Sequence, residues 1–277
     1  MRNYLKLVNF EFNRVAKLFA VLLGITFVVQ IAGVIILSKD YMSRANKKIY
    51  EEMMPKAQFL EQWGQMDFLQ IVRSLWFMGP IAIGVAGVGF YIFLIWYRDW
   101  FGKNTFVYRL LMLPTTRLNI FYAKITNILL MTFGLVAFQL ILLPIETWVF
   151  KGMVPDDFRR DMSVTGIMSS SPELSLIIPN SVIELIIYYG AGTIIVSILF
   201  TAILFERSFR WKGIFAGLIY CVLAVVVFIA PMVLQEVAFD GYLYPIELFV
   251  IEVIMGLLVL AASIWMSRFL LKKKINV

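Results

Sequence analysis

The sequence predicts an all-α, polytopic membrane protein with six transmembrane helices, an N-terminal amphipathic interfacial helix and both termini cytoplasmic. Three observations carry that prediction. Apolar stretches recur at 18–37, 76–97, 125–148, 182–205, 213–234 and 246–266, and crossing a hydrocarbon core takes roughly 20 such residues. The composition is 61% hydrophobic and only 16% charged, with a mean hydropathy of +0.84, well beyond a soluble domain. The cations are also unevenly spread. With the N-terminus inside, the inner segments hold Arg2, Lys6, Arg14, Lys17, Arg98, Lys103, Arg109, Arg117, Lys124, Arg207, Arg210, Lys212, Arg268, Lys272, Lys273 and Lys274. That is about 16 of the 25 Lys and Arg, the bias that sets orientation in short loops. In lipid every backbone N–H and C=O needs an internal partner, so the spans are helices.

The 277 residues form one transmembrane domain, 1–277. Its lead-in, 1–17, is amphipathic. At about 100° per residue, Tyr4, Leu5, Val8, Phe12, Val15 and Phe19 share one arc while Arg2, Lys6, Asn13, Arg14 and Lys17 lie opposite. A helix of this kind rests its apolar face in the acyl boundary and its cations among anionic headgroups. The first apolar stretch is too long for a signal-peptide core and is kept as a mature helix. The outer loop 38–74 holds Lys47/Glu51 and Lys48/Glu52 at i,i+4, which supports helix there, with Pro55 interrupting or starting a turn. The outer loop 149–180, rich in Ser, Pro and Asp, reads as loop with little structure of its own.

The cytoplasmic segment 98–124 is more specific. Gly102 breaks the membrane exit, and Asn104 or Thr105 can cap a new helix. Residues 106–113 supply about two turns, which Pro114 ends, and Thr115 or Thr116 can cap the following helix. Phe106, Val107, Leu110 and Leu111 would leave an exposed apolar patch on this short helix, the mark of a partner or membrane surface.

Several functions are excluded. The chain has no histidine and a single cysteine, Cys221, which removes the usual general base, Ser-His and Cys-His pairs, intrachain disulfides and cysteine metal clusters. No catalytic or metal site is expected. Gly102-Lys103-Asn104-Thr105 lacks the upstream glycine of a phosphate-binding loop. Gly84, Gly87 and Gly89, and likewise Gly190 and Gly192, read as close helix packing. The net charge of +7 follows membrane sidedness, so no nucleic-acid partner is expected. Four carboxylates lie in or beside the spans: Glu146, Glu184 and Glu247 near the outer ends, and Glu252 about 7–8 Å deeper at 1.5 Å per residue. Such groups face protein or water and often mark a pathway; helix-end carboxylates can also simply reach interfacial water. Pro144, Pro231 and Pro245 gather at the same ends, where irregular backbone is tolerated along a cavity.

The order of these parts, together with Tyr108-Arg109-Leu110-Leu111-Met112-Leu113-Pro114-Thr115-Thr116-Arg117 and then Ala123-Lys124, resembles the permease subunit of ABC type-2 transporters, most often exporters. The resemblance covers nearly the whole chain. It implies a multi-pass cell-membrane subunit in a homodimer or with a sister permease, surrounded by membrane lipid and bound to two copies of a separate ATP-binding subunit. The partner would carry ATP and Mg, leaving this chain without cofactor or enzymatic activity. The resemblance places Thr105, Phe106, Val107, Tyr108, Arg109, Leu110, Leu111 and Met112 at the ATPase-coupling position. The family's short re-entrant element between the last two spans would have only residues 231–245. An amphipathic or cationic substrate (peptide, drug or lipid-like) passing Glu146, Glu184, Glu247 and Glu252 is the expected cargo. A stand-alone secondary transporter or channel, or a ligand-binding immunity-type membrane protein, is the alternative.

Overall fold

The computed structural model describes residues 2–101, 106–112, 116–237 and 243–275. In chain order the elements are α1 (Arg2–Asn46), a π-turn (Lys47–Glu51), α2 (Lys56–Trp63), β1 (Met66–Asp67), α3 (Phe68–Val72), α4 (Leu75–Trp100), α5 (Phe106–Leu111) and α6 (Leu118–Met153). A 3-10 turn (Asp156–Phe158), β2 (Arg159–Arg160), α7 (Val164–Ser170), α8 (Pro172–Ile177), α9 (Val182–Phe209), α10 (Trp211–Val237), α11 (Pro245–Phe269) and a second π-turn (Leu270–Lys274) follow. Among the described residues, the helices containing α1, α4, α6, α9, α10 and α11 are long and apolar enough to cross a membrane. The chain is an all-α, multi-pass membrane protein.

Contacts divide it into two compact units. The first is Met1–Arg14, Phe90–Leu129 and Ile186–Val277; the second is Val15–Gly89 and Leu130–Leu185.

In the second unit the two segments read as outer loops fold together. β1 pairs in parallel with β2, Met66 opposite Arg159 and Asp67 opposite Arg160. Phe68, Ile71, Val72, Phe77, Phe150, Val154, Ile167 and Leu174 form a buried apolar core. The phenyl rings of Phe77 and Phe150 both meet Phe68 edge-on. Residues 149–180 are therefore not bare loop. Ser163 accepts from the Gly166 N–H to start α7, Pro172 opens α8, and Ile167 and Leu174 are fully buried. Arg159 closes α6 by donating to the Lys151 and Val154 carbonyls at 3.0 and 2.8 Å. Its hydrogen bond to Asp161 holds that carboxyl below the usual carboxylate range. In 38–74 the first helix extends to Asn46, the Lys48–Glu52 pair closes at 2.7 Å, and Pro55 stands immediately before α2.

Polar glue joins α1, α4 and α6 in this unit. Gln30 Nε2 donates to the Phe77 carbonyl at 3.1 Å and to Gln139 Oε1 at 3.2 Å, all buried. Gly87 and Gly84 do pack: a Cβ at Gly87 would meet Leu22 at 3.1 Å, and one at Gly84 would meet Leu135 at 3.7 Å.

In the first unit α9 turns into α10 through the single residue Arg210, whose φ is 52°, a conformation uncommon outside glycine. The reversal is tight because Gly213 and Gly217 let α10 lie on the backbone of α9. A Cβ at Gly213 would stand 2.1 Å from the Phe205 carbonyl oxygen, and one at Gly217 2.9 Å from that of Ala202. A hydroxyl chain then binds α9, α10 and α11. Thr201 Oγ1 lies 2.9 Å from Ser267 Oγ, and the Tyr220 hydroxyl lies 2.7 Å from Ser263 Oγ. Such bonds matter between membrane helices because lipid offers apolar side chains no reason to prefer protein.

Two expectations are corrected. Gly190, Gly192 and Gly89 face open space, so they do not mediate helix packing within the chain. Pro144 and Pro231 lie inside continuous helices and Pro245 begins α11, rather than marking irregular backbone. The lead-in 1–17 is the first part of the unbroken α1. Its buried side carries Leu7, Val8, Glu11 and Val15, while Leu5 is exposed. The re-entrant position 231–245 falls partly on 238–242, outside the described residues; up to Val237 it is helix.

Candidate functional site

The first unit concentrates charge where the start of α1, the end of α4 and the start of α6 meet. Lys124 is buried with its ammonium between two buried carboxylates. It donates to Glu11 Oε1 at 2.9 Å, to Asp99 Oδ2, and to the Ile95 carbonyl at 2.7 Å. Arg98 donates to Glu11 and Arg14 to Asp99, each at 2.7 Å. Every oxygen of the two acids thus faces a cation, and all three donors of the ammonium are used. A buried charge needs this completeness, because its desolvation is repaid only when its remaining hydrogen-bonding capacity is filled.

Aromatic faces enclose the cluster. The Lys124 ammonium lies 5.0 Å from the Trp96 ring centroid, and Trp96 packs edge-on against Phe200. Asn127, one turn along α6, donates to the Tyr91 hydroxyl at 2.9 Å. Tyr4 and Thr126 share a hydroxyl contact at 2.6 Å.

The cluster reaches the short helix α5 through Arg14. Its guanidinium carbon sits 5.2 Å from the ring centroids of both Phe10 and Phe106, which stack on each other at 5.5 Å. One side chain therefore contacts α5 on one side and Asp99 of α4 on the other.

This changes the reading of α5. Val107, Leu110 and Leu111, expected to be exposed, are buried at 3%, 4% and 6% exposure, and Phe106 is half-buried. The i, i+3, i+4 face is satisfied within the chain, so no bare apolar patch exists among these residues. The outward side carries Arg109 and Met112, the latter 72% exposed. Thr105, Gly102, Lys103, Asn104, Leu113, Pro114 and Thr115, named in the sequence reading, lie outside the described residues, as does the side chain of Tyr108.

The four pathway carboxylates separate in kind. Glu184 accepts from the Asn180 N–H at 3.1 Å while the Ser181 hydroxyl accepts from the Glu184 N–H, two bonds that close the start of α9. Glu247 accepts from the Tyr244 N–H at 3.0 Å and caps α11. Glu252 is half-buried without a hydrogen bond or ion pair among the described residues. Glu146 is completely buried, and neither carboxylate oxygen has a hydrogen-bond partner among the described residues. Glu146 and Glu184 belong to the second unit and Glu247 and Glu252 to the first.

An ionised carboxylate buried without a partner is costly, so stability does not explain Glu146. Glu146→Gln keeps the shape and puts a group that cannot ionise in place of the acid. Its thermal unfolding midpoint at neutral pH is expected to hold or rise, by an amount worth up to roughly 1–3 kcal/mol. A fall of that size would mean the carboxylate makes a stabilising interaction.

The sequence presents Arg14, Arg98 and Lys124 as sidedness markers, Arg14 also as part of the polar face of the lead-in and Lys124 as part of the family-like pattern, but leaves Glu11 and Asp99 unassigned. The signal was present. Glu11 lies at i+3 from Val8 and i−4 from Val15, beside the apolar arc of its helix, where an unpaired carboxylate has no place.

Comparison with known proteins finds no matching family model, curated protein or solved structure. The class defined by the fold is therefore the multi-pass helical membrane protein, and the functional reading rests on the residues themselves.

Proposed function

We propose that this chain is the permease subunit of an ATP-driven exporter in the cell membrane, with both termini and α5 on the cytoplasmic side. It would work as a homodimer or with a sister permease, coupled to two ATP-binding subunits that carry the nucleotide and Mg. The observation that supports this reading most is the Phe106–Arg14–Asp99–Lys124 chain. A displacement of α5 by a cytoplasmic motor would pass through one guanidinium to the ends of α4 and α6 and the start of α1. Membrane helices with no link to α5 would gain nothing from a motor docked there.

The docking side differs from the apolar face first expected. Val107, Leu110 and Leu111 anchor α5 to its own chain, leaving Arg109 and Met112 to meet the ATPase. Closure of the ATPase pair on ATP would press this side and shift the two permease halves between inward- and outward-facing states. An amphipathic or cationic substrate fits the carboxylate of Glu146, whose oxygens have no hydrogen-bond partner among the described residues.

Arg109→Glu with Met112→Asp tests the reading. Both positions are exposed, so insertion and thermal stability should stay native. Transport and ATPase stimulation by the permease are expected to fall at least about tenfold, as for loss of a docking anchor worth about 2 kcal/mol. Native transport by this variant would overturn the proposal. Glu146 alone favours a second reading, an ion-coupled secondary transporter. Flux by the purified chain without ATP, abolished by Glu146→Gln, would establish it instead.

A further inference from the structure

The end of the described chain is a positively charged surface held by buried apolar side chains and hydrogen bonds. Leu270, Leu271 and Ile275 are buried at 0%, 2% and 4% exposure, and Arg117 donates to the carbonyls of Leu271 and Ile275 at 2.7 and 2.9 Å. These contacts pin the π-turn Leu270–Lys274, so Lys272, Lys273 and Lys274 project outward from fixed backbone. This is not a loose basic tail.

The lysines join a second basic element. The Lys274 ammonium lies 5.6 Å from the ring centroid of Phe209, the last residue of α9, and Lys273 sits at the same distance from Phe269. Directly after Phe209 come Arg210, Trp211 and Lys212, all exposed, with Trp211 at 80%. Among the described residues none of Arg210, Lys212, Lys272, Lys273 and Lys274 forms an ion pair. The nearby acid Glu206 is committed to the Tyr97 hydroxyl and Arg207. The patch thus holds fixed, uncompensated cations beside exposed aromatic side chains, at the ends of helices apolar enough to span.

We infer that the α9–α10 turn and the Leu270–Lys274 turn together form a binding site for the phosphodiester headgroup of an anionic phospholipid. Charge complementarity selects the anion. The exposed Trp211 and Trp265, the latter stacked on Phe269 at 6.4 Å, select a lipid over a soluble anion, because indoles settle at the headgroup level. Basic residues next to spanning helices draw anionic lipid in this way. The site also gives a use to an arginine in a backbone conformation that glycine would adopt more easily.

The test reconstitutes the full chain in phosphatidylcholine mixed with phosphatidylglycerol, extracts it in detergent and identifies retained lipid by native mass spectrometry. The native chain should keep phosphatidylglycerol preferentially. Each cation near an anionic surface contributes about a fivefold preference, so Arg210→Gly/Lys272→Gln/Lys273→Gln/Lys274→Gln should lower retention at least about tenfold. Glycine at 210 suits the local φ, so folding is preserved. Replacing Lys272, Lys273 and Lys274 by arginine should keep the lipid. Removing four cations elsewhere, Lys39→Gln/Lys47→Gln/Arg73→Gln/Lys151→Gln, should leave retention unchanged. Equal retention of the two lipids by the native chain, or equal loss in both four-site variants, overturns the inference, as does loss of lipid in the arginine variant.

Discussion

Lys124→Ala is expected to be the most damaging single polar substitution in the first unit. It leaves Glu11 and Asp99 buried with only Arg98 and Arg14 beside them, and empties the space between α1, α4 and α6. Breaking a buried ionic cluster by removing one member costs about 3–5 kcal/mol, a large share of the stability of any domain. Thermal unfolding in detergent measures it directly. A double-mutant cycle adds the diagnostic part. With Asp99→Asn already present, Lys124→Ala should cost less than in the native background by roughly 0.5–3 kcal/mol, since contacting residues are not additive. Full additivity would show that the two charges do not interact.

Gly213→Ala carries the second large effect, and its cause is steric. The added methyl would stand 2.1 Å from the Phe205 carbonyl oxygen and 2.8 Å from the Glu206 Cα. Both are backbone atoms, so no rotamer change relieves the contact and the α9–α10 hairpin must open. Overpacking of this kind costs about 1–3 kcal/mol and sometimes more; the upper end is expected here, because the hairpin turns on one residue. Gly24→Ala is the matched control. Its methyl would meet nothing within 4 Å, and alanine is favoured over glycine in a helix by roughly 0.5–1 kcal/mol. Equal midpoints for the two variants would contradict the close approach of α9 and α10.

The spans were legible because length and hydropathy act locally. All six helices contain the apolar stretches read from the sequence, and Gly213 and Gly217 lie at the start of one of them. What escaped was non-local. Residues 149–180 look like loop because Pro155, Asp156, Asp157 and the run of serines dominate the composition, yet Ile167 and Leu174 find their partners more than 80 residues upstream, among Phe68, Ile71 and Val72. The short helix α5 shows the same limit. Its apolar spacing was visible, but the face was assigned to a second protein when Val107, Leu110 and Leu111 are covered by their own chain. The Phe10 ring, assigned to no partner, stacks on Phe106.

The carboxylates divide along the same line. Glu184 and Glu247 cap their own helices through bonds three or four residues away, a role that sequence spacing offers and that needs no pathway. Glu11 and Asp99 make sense only once α1, α4 and α6 are brought together. Ser197/Thr201 and Ser263/Ser267 follow i,i+4 spacing on apolar helices, so the hydroxyl seam was also written in the chain, although the pairing of Thr201 with Ser267 was not.

If a soluble motor docks on the Arg109–Met112 side of α5 as proposed, its force reaches α4 through Arg14. A photo-crosslinking residue at Met112, in membranes containing the candidate ATP-binding subunits, tests it most directly. The expected result is a crosslinked product whose peptides include a nucleotide-binding loop, strengthened when ATP is trapped and absent when the same residue replaces the buried Leu110. Crosslinks from Met112 to lipid alone, with and without ATP, would contradict it.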